Sequence, residues 1–272
     1  MRLLFLGTAA AEAYPAVFCG CENCERARQI GGHSVRCRSS LLIDDDLLID
    51  LGPDVIHAAL TYGLRLHHLR TVLITHAHAD HFDLDVLRWR HPHFRVGELP
   101  LLTIYGPAEV AREIEAFERF EELVVTPAAV GPGERFSAGD AEVWTFPARH
   151  GTEAPMVYAV ARGGRKILYA CDTGEPLDEV WEALAEHEFD AIIMEETMGS
   201  ERSPGHTNLE EIAAHRARAE KEGLLKPGGR FIATHFSHRN NPAHDELGEL
   251  LRERGVEAAY DGMEVKLDGG QA

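Results

Sequence analysis

Short apolar runs alternate along the chain with stretches whose apolar residues recur at helical spacing. Residues 3–6, 41–43, 47–49, 72–75, 102–105 and 143–146 are predicted strands, as are 157–161, 167–170, 191–195, 231–234 and 264–267. Helices are expected over 53–62, 107–120, 176–186, 208–223 and 242–254. Pro53, Pro107 and Pro176 suit a first helical turn, and Gly223 and Gly255 suit helix ends. Strands dominate both ends of the chain and helices are interspersed, the order of an α/β domain with helix-covered sheets. The segment 9–40 carries little pattern of its own.

A chain of 272 residues is long enough for one large domain or two small ones. With no repeat, low-complexity tract or linker, residues 1–272 read as a single domain. No apolar run reaches membrane-spanning length, and the start lacks a signal-peptide core, so a cytoplasmic location is expected. The formal net charge of −18 opposes phosphate-rich partners and turns the expectation toward a small substrate.

Directly after the apolar run Val72-Leu73-Ile74 stands Thr75-His76-Ala77-His78-Ala79-Asp80-His81. If the chain stays extended there, His76 and His78 point the same way. Three imidazoles and a carboxylate within six residues form a dense nitrogen and oxygen donor set, suited to zinc, iron, nickel or manganese. One short motif cannot fill two metal sites, so further ligands must come from other strand ends. His150, Asp172 and His235 each follow a predicted strand closely.

Taken in order, His76, His78, Asp80, His81, His150, Asp172 and His235 resemble the motifs of the metallo-β-lactamase superfamily. The resemblance implies a four-layer αβ/βα sandwich and metal-dependent hydrolysis. It also implies one metal on His76, His78 and His150, and a second on Asp80, His81 and His235. Asp172 would bridge the two.

A second donor set is Cys19-Gly20-Cys21-Glu22-Asn23-Cys24. Three thiolates suggest a structural zinc, which needs a fourth ligand. Spacing alone leaves Cys37 and His238 both open. The cysteine segment, Thr234-His235-Phe236-Ser237-His238 and the tail Tyr260-Asp261-Gly262-Met263-Glu264-Val265 are similar to the phosphoribosyl cyclic phosphodiesterase family of the carbon–phosphorus lyase pathway. That similarity implies Cys19, Cys21, Cys24 and His238 as the zinc ligands, stapling the 9–40 loop. Cys37 and Cys171 are left as small buried residues.

Gly205-His206-Thr207-Asn208-Leu209 precedes a predicted helix that Thr207 or Asn208 would cap. The same family carries a histidine before such an Asn-Leu step, implicated in substrate binding or leaving-group protonation, which implies that role for His206. His33, His57, His67, His68, His91, His93, His187, His215 and His244 read as surface or helix residues, with His91-Pro92-His93 as a candidate pocket rim. Glu195 and Glu196 end a predicted strand, and a solvated strand end is the expected reading, with support of the metal ligands as the alternative. The Lys226-Pro227-Gly228-Gly229 run reads as a turn.

The expected cofactors are two catalytic divalent ions (zinc or manganese, with nickel or iron compatible) and one structural zinc. The expected activity is hydrolysis of a small phosphodiester, cyclic ones included, with Asp172 bridging the metals and His206 protonating the leaving oxygen. No nucleic-acid or membrane partner is expected, and a homodimer is compatible with the sequence. The alternatives are a nuclease of RNase Z or exonuclease type, and a non-catalytic biosynthetic accessory protein on the same fold.

Overall fold

The computed structural model describes residues 1–267 except Glu118 and Leu177. The first strands are β1 (Arg2–Gly7), β2 (Ser40–Ile43), β3 (Leu47–Ile49), β4 (Thr71–Leu73), β5 (Leu102–Gly106) and β6 (Val125–Ala129). There follow β7 (Arg135–Ala138), β8 (Ala141–Pro147), β9 (Met156–Arg162), β10 (Arg165–Ala170), β11 (Phe189–Glu195), β12 (Leu225–Thr234) and β13 (Glu257–Ala258), and β14 (Glu264–Lys266) ends the series. They form two seven-stranded sheets, ordered β14-β1-β2-β3-β4-β5-β6 and β13-β12-β11-β10-β9-β8-β7. The helices are α1 (Glu22–Ile30), α2 (Val55–Tyr62), α3 (Leu84–Leu87), α4 (Ala108–Glu115), α5 (Asp178–Leu184), α6 (Leu209–Lys221) and α7 (His244–Arg252).

Three apolar layers explain why the strands are apolar on both faces. Leu3, Phe5, Tyr158, Tyr169, Ile193 and Ile232 meet between the sheets. Leu4, Val72 and Ile104 turn outward to Val110 and Ile114 of α4, and Phe231 and Ile192 turn outward to Trp181, Ile212 and Leu247 of α5, α6 and α7. Helix, sheet, sheet and helix give the αβ/βα sandwich.

The structure departs from the sequence-based expectation in several places. Segment 9–40 contains α1, which buries only Cys24 and Ala27 and so left almost no apolar period to read. Strands β6 and β7 escaped notice because Pro127 interrupts one and Phe136 is the sole large apolar residue of the other. Residues 226–229 do not form a turn between elements: Phe189 pairs with Leu225 but Ala191 with Arg230, so β12 bulges there, with Gly228 at φ 74°. Strand β4 ends at Leu73, so the histidines that follow are placed by a loop, not by strand alternation.

Near the C-terminal end of the described chain, Asp261 accepts hydrogen bonds from Thr8 Oγ1 (2.7 Å) and Cys37 N (2.5 Å). Burial pushes this carboxyl up from its ordinary 3.8 to about 6, against the lowering effect of those bonds and of Arg36. The folded state therefore holds the proton more tightly than the unfolded chain. The stability contributed by the neutral acid is full below the unfolded value and is lost as pH rises through about 6. Asp261→Asn should consequently gain in melting temperature relative to wild type as pH rises from about 4 to about 7. A difference that stays flat across that range would contradict the assignment.

Candidate metal centre and its surroundings

The seven residues singled out in the sequence converge at one end of the sandwich. His76 and His78 lie in the loop after β4, where a tight turn (His81 N to His78 O, 2.9 Å) folds Asp80 and His81 back toward them. Asp172 and His235 leave β10 and β12 in left-handed conformation, at φ 56° and 63°. Neither is glycine, and such strain is held only where the surroundings enforce it.

Two donor groups result. In the first, His78 Nδ1 lies 3.1 Å from His76 Nε2 and 2.9 Å from His150 Nε2, and Asp172 Oδ2 lies 3.2 Å from the Nε2 atoms of His76 and His150. In the second, His81 Nε2 is 3.1 Å from Asp80 Oδ2 and 3.4 Å from Asp172 Oδ2, with His235 Nε2 at 4.0 and 3.8 Å from the same two oxygens. Ligands bound at about 2 Å to one tetrahedral ion lie about 3.3 Å apart, so these spacings fit metal coordination. Asp172 Oδ2 is shared by both groups.

The donor atoms are also left over in the way a metal requires. His81 Nε2, His235 Nε2 and Asp172 Oδ1 are buried without a hydrogen-bond partner, which in a buried site is costly unless something else satisfies them. Their outer nitrogens, by contrast, are fixed. His81 Nδ1 meets Asp50 Oδ2 at 2.8 Å, and His235 Nδ1 meets Thr197 Oγ1 at 2.8 Å. That arrangement aims Nε2 inward, as for histidines that carry metals. Burial disfavours charge on Asp80, but the neighbouring His235 and His81 imidazoles outweigh it and hold the carboxyl far below its ordinary range.

One supporting residue, Asp50, went unread in the sequence, and another, Glu195, was misread. Asp50, fully buried, accepts from Thr75 N and Thr75 Oγ1, both at 2.9 Å, and so braces the start of the histidine loop as well as His81. It follows the apolar run Leu47-Leu48-Ile49, the same position relative to a strand that singled out His150, Asp172 and His235. Glu195 is not solvated: it is completely buried, accepts from Thr173 N at 3.0 Å and from Thr197 Oγ1, and lies 3.3 Å from His206 Nδ1. Glu196 is buried as well and accepts from Gly199 N at 2.7 Å.

His206 is brought to the centre. Asn208 caps α6 with a full capping box closed by Glu211, which fixes the loop before it. His206 Nδ1 then lies 3.2 Å from Asp172 Oδ1. Burial disfavours its charged form, but these two carboxylates win and raise it to about 10. It lines a cavity of about 540 Å³ together with His78, His150, Ser203 and Arg239. His91 and His93 do not line this cavity: His91 Nε2 instead meets Glu122 Oε2 at 2.8 Å. His187 and His215, expected as surface or helix residues, are buried against Phe189 and Trp181, His215 from within α6.

The thiol group assembles separately. Cys19, Cys21, Cys24 and His238 present donor atoms within 4.8 Å of one another, with Cys21 Sγ 3.4 Å from His238 Nδ1. Burial raises the Cys21 thiol, yet hydrogen bonds from the Cys24 backbone and His238 outweigh this and lower it to about 6, toward the thiolate that binds metal. Cys37 is not in the group. It is half-buried, not fully buried as expected, and its N–H is bonded to Asp261. Cys171 is buried.

Residues 46–236 match the family described as the beta-lactamase superfamily domain. The chain is 24% identical to coenzyme PQQ synthesis protein B of Cupriavidus necator, over 96% of this chain and 98% of that one. Among solved structures, a diphosphatase from the PhnP family superposes with a TM-score of 0.77 at 24% identity, covering 98% of each chain. Zinc-bound PqqB from Methylobacterium extorquens superposes with a TM-score of 0.78 at 20% identity, covering 98% of this chain and all of that one. Among the described residues, no helix is long and apolar enough to cross a membrane.

Proposed function

Because the chain belongs to the metallo-β-lactamase superfamily, we propose that it is a metal-dependent hydrolase of small phosphodiesters, cyclic ones included. The observation that carries this reading is a complete donor set for two ions with a further histidine, His206, held beside it by a buried carboxylate. His76, His78 and His150 would hold one ion, Asp80, His81 and His235 the other, and Asp172 both. Two divalent ions bound there would supply an activated water and stabilise charge on the phosphoryl group. Manganese or zinc suits the nitrogen and oxygen donors, with nickel or iron compatible.

The chain's own residues do the rest. Asp50 and Thr197 lock the imidazoles of His81 and His235 in orientation. Glu195 occupies Nδ1 of His206, with Asp172 Oδ1 beside it, so its Nε2 is the nitrogen available to protonate a leaving oxygen. Cys19, Cys21, Cys24 and His238 would hold a structural zinc beside the cavity wall formed by Ala10, Ala11 and Glu12.

Protein reconstituted with manganese or zinc should hydrolyse bis(p-nitrophenyl) phosphate, and a fully loaded protein without turnover would overturn the enzymatic reading. That outcome would favour a biosynthetic accessory role, the reading that the full-length similarity to a coenzyme synthesis protein supports. A nuclease is disfavoured by the net charge of −18. Elemental analysis of chelator-free protein should approach three metal equivalents, since the donor sets share no residue between the thiol and imidazole groups. A well-occupied preparation with a single equivalent would contradict the two-ion centre.

A further inference from the structure

A second cavity, of about 520 Å³, opens on the helix-covered side of the first sheet and shares no lining residue with the metal cavity. Its floor comes from Leu51 beyond β3, Ile56 of α2, and Val86 and Leu87 of α3, with Leu60 of α2 at its edge. Trp89 stands at its rim, about half exposed and packed edge-on against the exposed Phe94, with ring centres 5.0 Å apart. Leu60 is 80% exposed, so the apolar surface continues outward from the floor. Contiguous exposed apolar surface of this kind marks binding sites in soluble proteins.

Charge narrows what fits. Asp and Glu number 45 in the chain against 27 Lys and Arg, yet among the described residues no carboxylate lines this cavity. Its polar lining is His67, Arg90 and Arg95. Arg90 is committed, donating Nε to Leu123 O and Nη2 to Pro100 O and Val124 O. Arg95 donates Nε to Arg90 O and Nη1 to Gly97 O, which fixes the guanidinium in place and leaves Nη2 for another acceptor. A pre-positioned cationic edge over an apolar floor is the complement of one anionic head on one apolar body. The volume lies within the range of small-molecule sites.

We propose that this cavity binds an anionic amphiphile of fatty-acid type, its aliphatic body on the floor between α2 and α3 and its carboxylate at Arg95 and His67. The site is separate from the phosphodiester chemistry and does not depend on it. Calorimetric titration of the metal-loaded protein with dodecanoate below its micellar concentration should show one site per chain. Dodecyltrimethylammonium, with the same body and the opposite charge, should bind at least about tenfold more weakly. Leu60→Glu, at an exposed position, should abolish dodecanoate binding while leaving melting temperature and bis(p-nitrophenyl) phosphate hydrolysis unchanged. Ala59→Trp, which fills the cavity from α2, should do the same, and Arg95→Gln should weaken dodecanoate selectively. Equal binding of the two head groups would overturn the proposal, as would dodecanoate binding that survives Leu60→Glu, including binding at the metals. Adsorption to phosphatidylglycerol vesicles without binding of monomeric dodecanoate would replace the cavity with a membrane-facing surface and overturn it too.

Discussion

Cys21→Ser is expected to lower the melting temperature by more than about 10 °C, while His78→Ala shifts it by only a few degrees. The contrast follows from what holds each segment. The 9–40 loop buries little of its own: its small apolar cluster is Ala9, Tyr14 and Ala27, and nine-residue α1 is too short to be stable alone. Its other ties are single polar contacts, among them Ala10 N to Phe236 O at 3.1 Å, Tyr14 Oη to Asn241 O at 2.9 Å and Arg36 Nη1 to Ala259 O at 2.6 Å. The thiol group joins both ends of this scheme, since Cys21 begins α1 and His238 follows β12. Serine keeps the shape but is a poor zinc ligand, so metal-binding energy that is also folding energy is lost. His78 is exposed, and its loop is already held by β4 and by Asp50. Because Ala10, Ala11 and Glu12 wall the metal cavity, Cys21→Ser should lose activity as well as stability. Thermal scans of both metal-loaded variants check this, and equal or reversed shifts would refute it.

What could be read from the sequence, and what could not, follows from how each residue type signals its place. The seven donor residues were legible because rare chemistry stood at the ends of apolar runs, where an α/β scaffold gathers its sites. The same grammar marks Asp50, but a single aspartate after a strand looks like any strand end until His81 Nδ1 is seen 2.8 Å away. Glu195 was misread because acidic pairs usually face water. Its burial depends on Thr173, Thr197 and His206, three partners that lie near it only after folding. Helix α1 and the edge strand β6 were missed for the opposite reason: one buries only Cys24 and Ala27 and the other pairs to β5 around Pro127, so neither shows an apolar period. The choice of His238 over Cys37 rested on family resemblance alone, and the structure brings His238 to the thiols while Cys37 turns to Asp261.

His206→Ala is expected to keep full metal content and near-normal stability and to lose about 10² to 10⁴ in rate on phosphodiesters with alkyl leaving groups. Its imidazole is partly exposed, and the loop that carries it is fixed independently by the Asn208 capping box, so the fold does not need the ring. On the proposed mechanism the ring would supply a proton to the leaving oxygen. An alkoxide leaves poorly without that proton, whereas p-nitrophenolate leaves readily, so the loss should shrink sharply on p-nitrophenyl esters. Comparing kcat and KM on both substrate types separates the roles. A loss confined to kcat on alkyl esters identifies protonation. A uniform rise in KM on both would make His206 a substrate-binding residue. Glu195→Gln provides the second arm: its carboxylate touches His206 Nδ1 and no cavity space, so it should show the same leaving-group dependence more weakly. Full activity of His206→Ala on both substrates would exclude any role in the reaction.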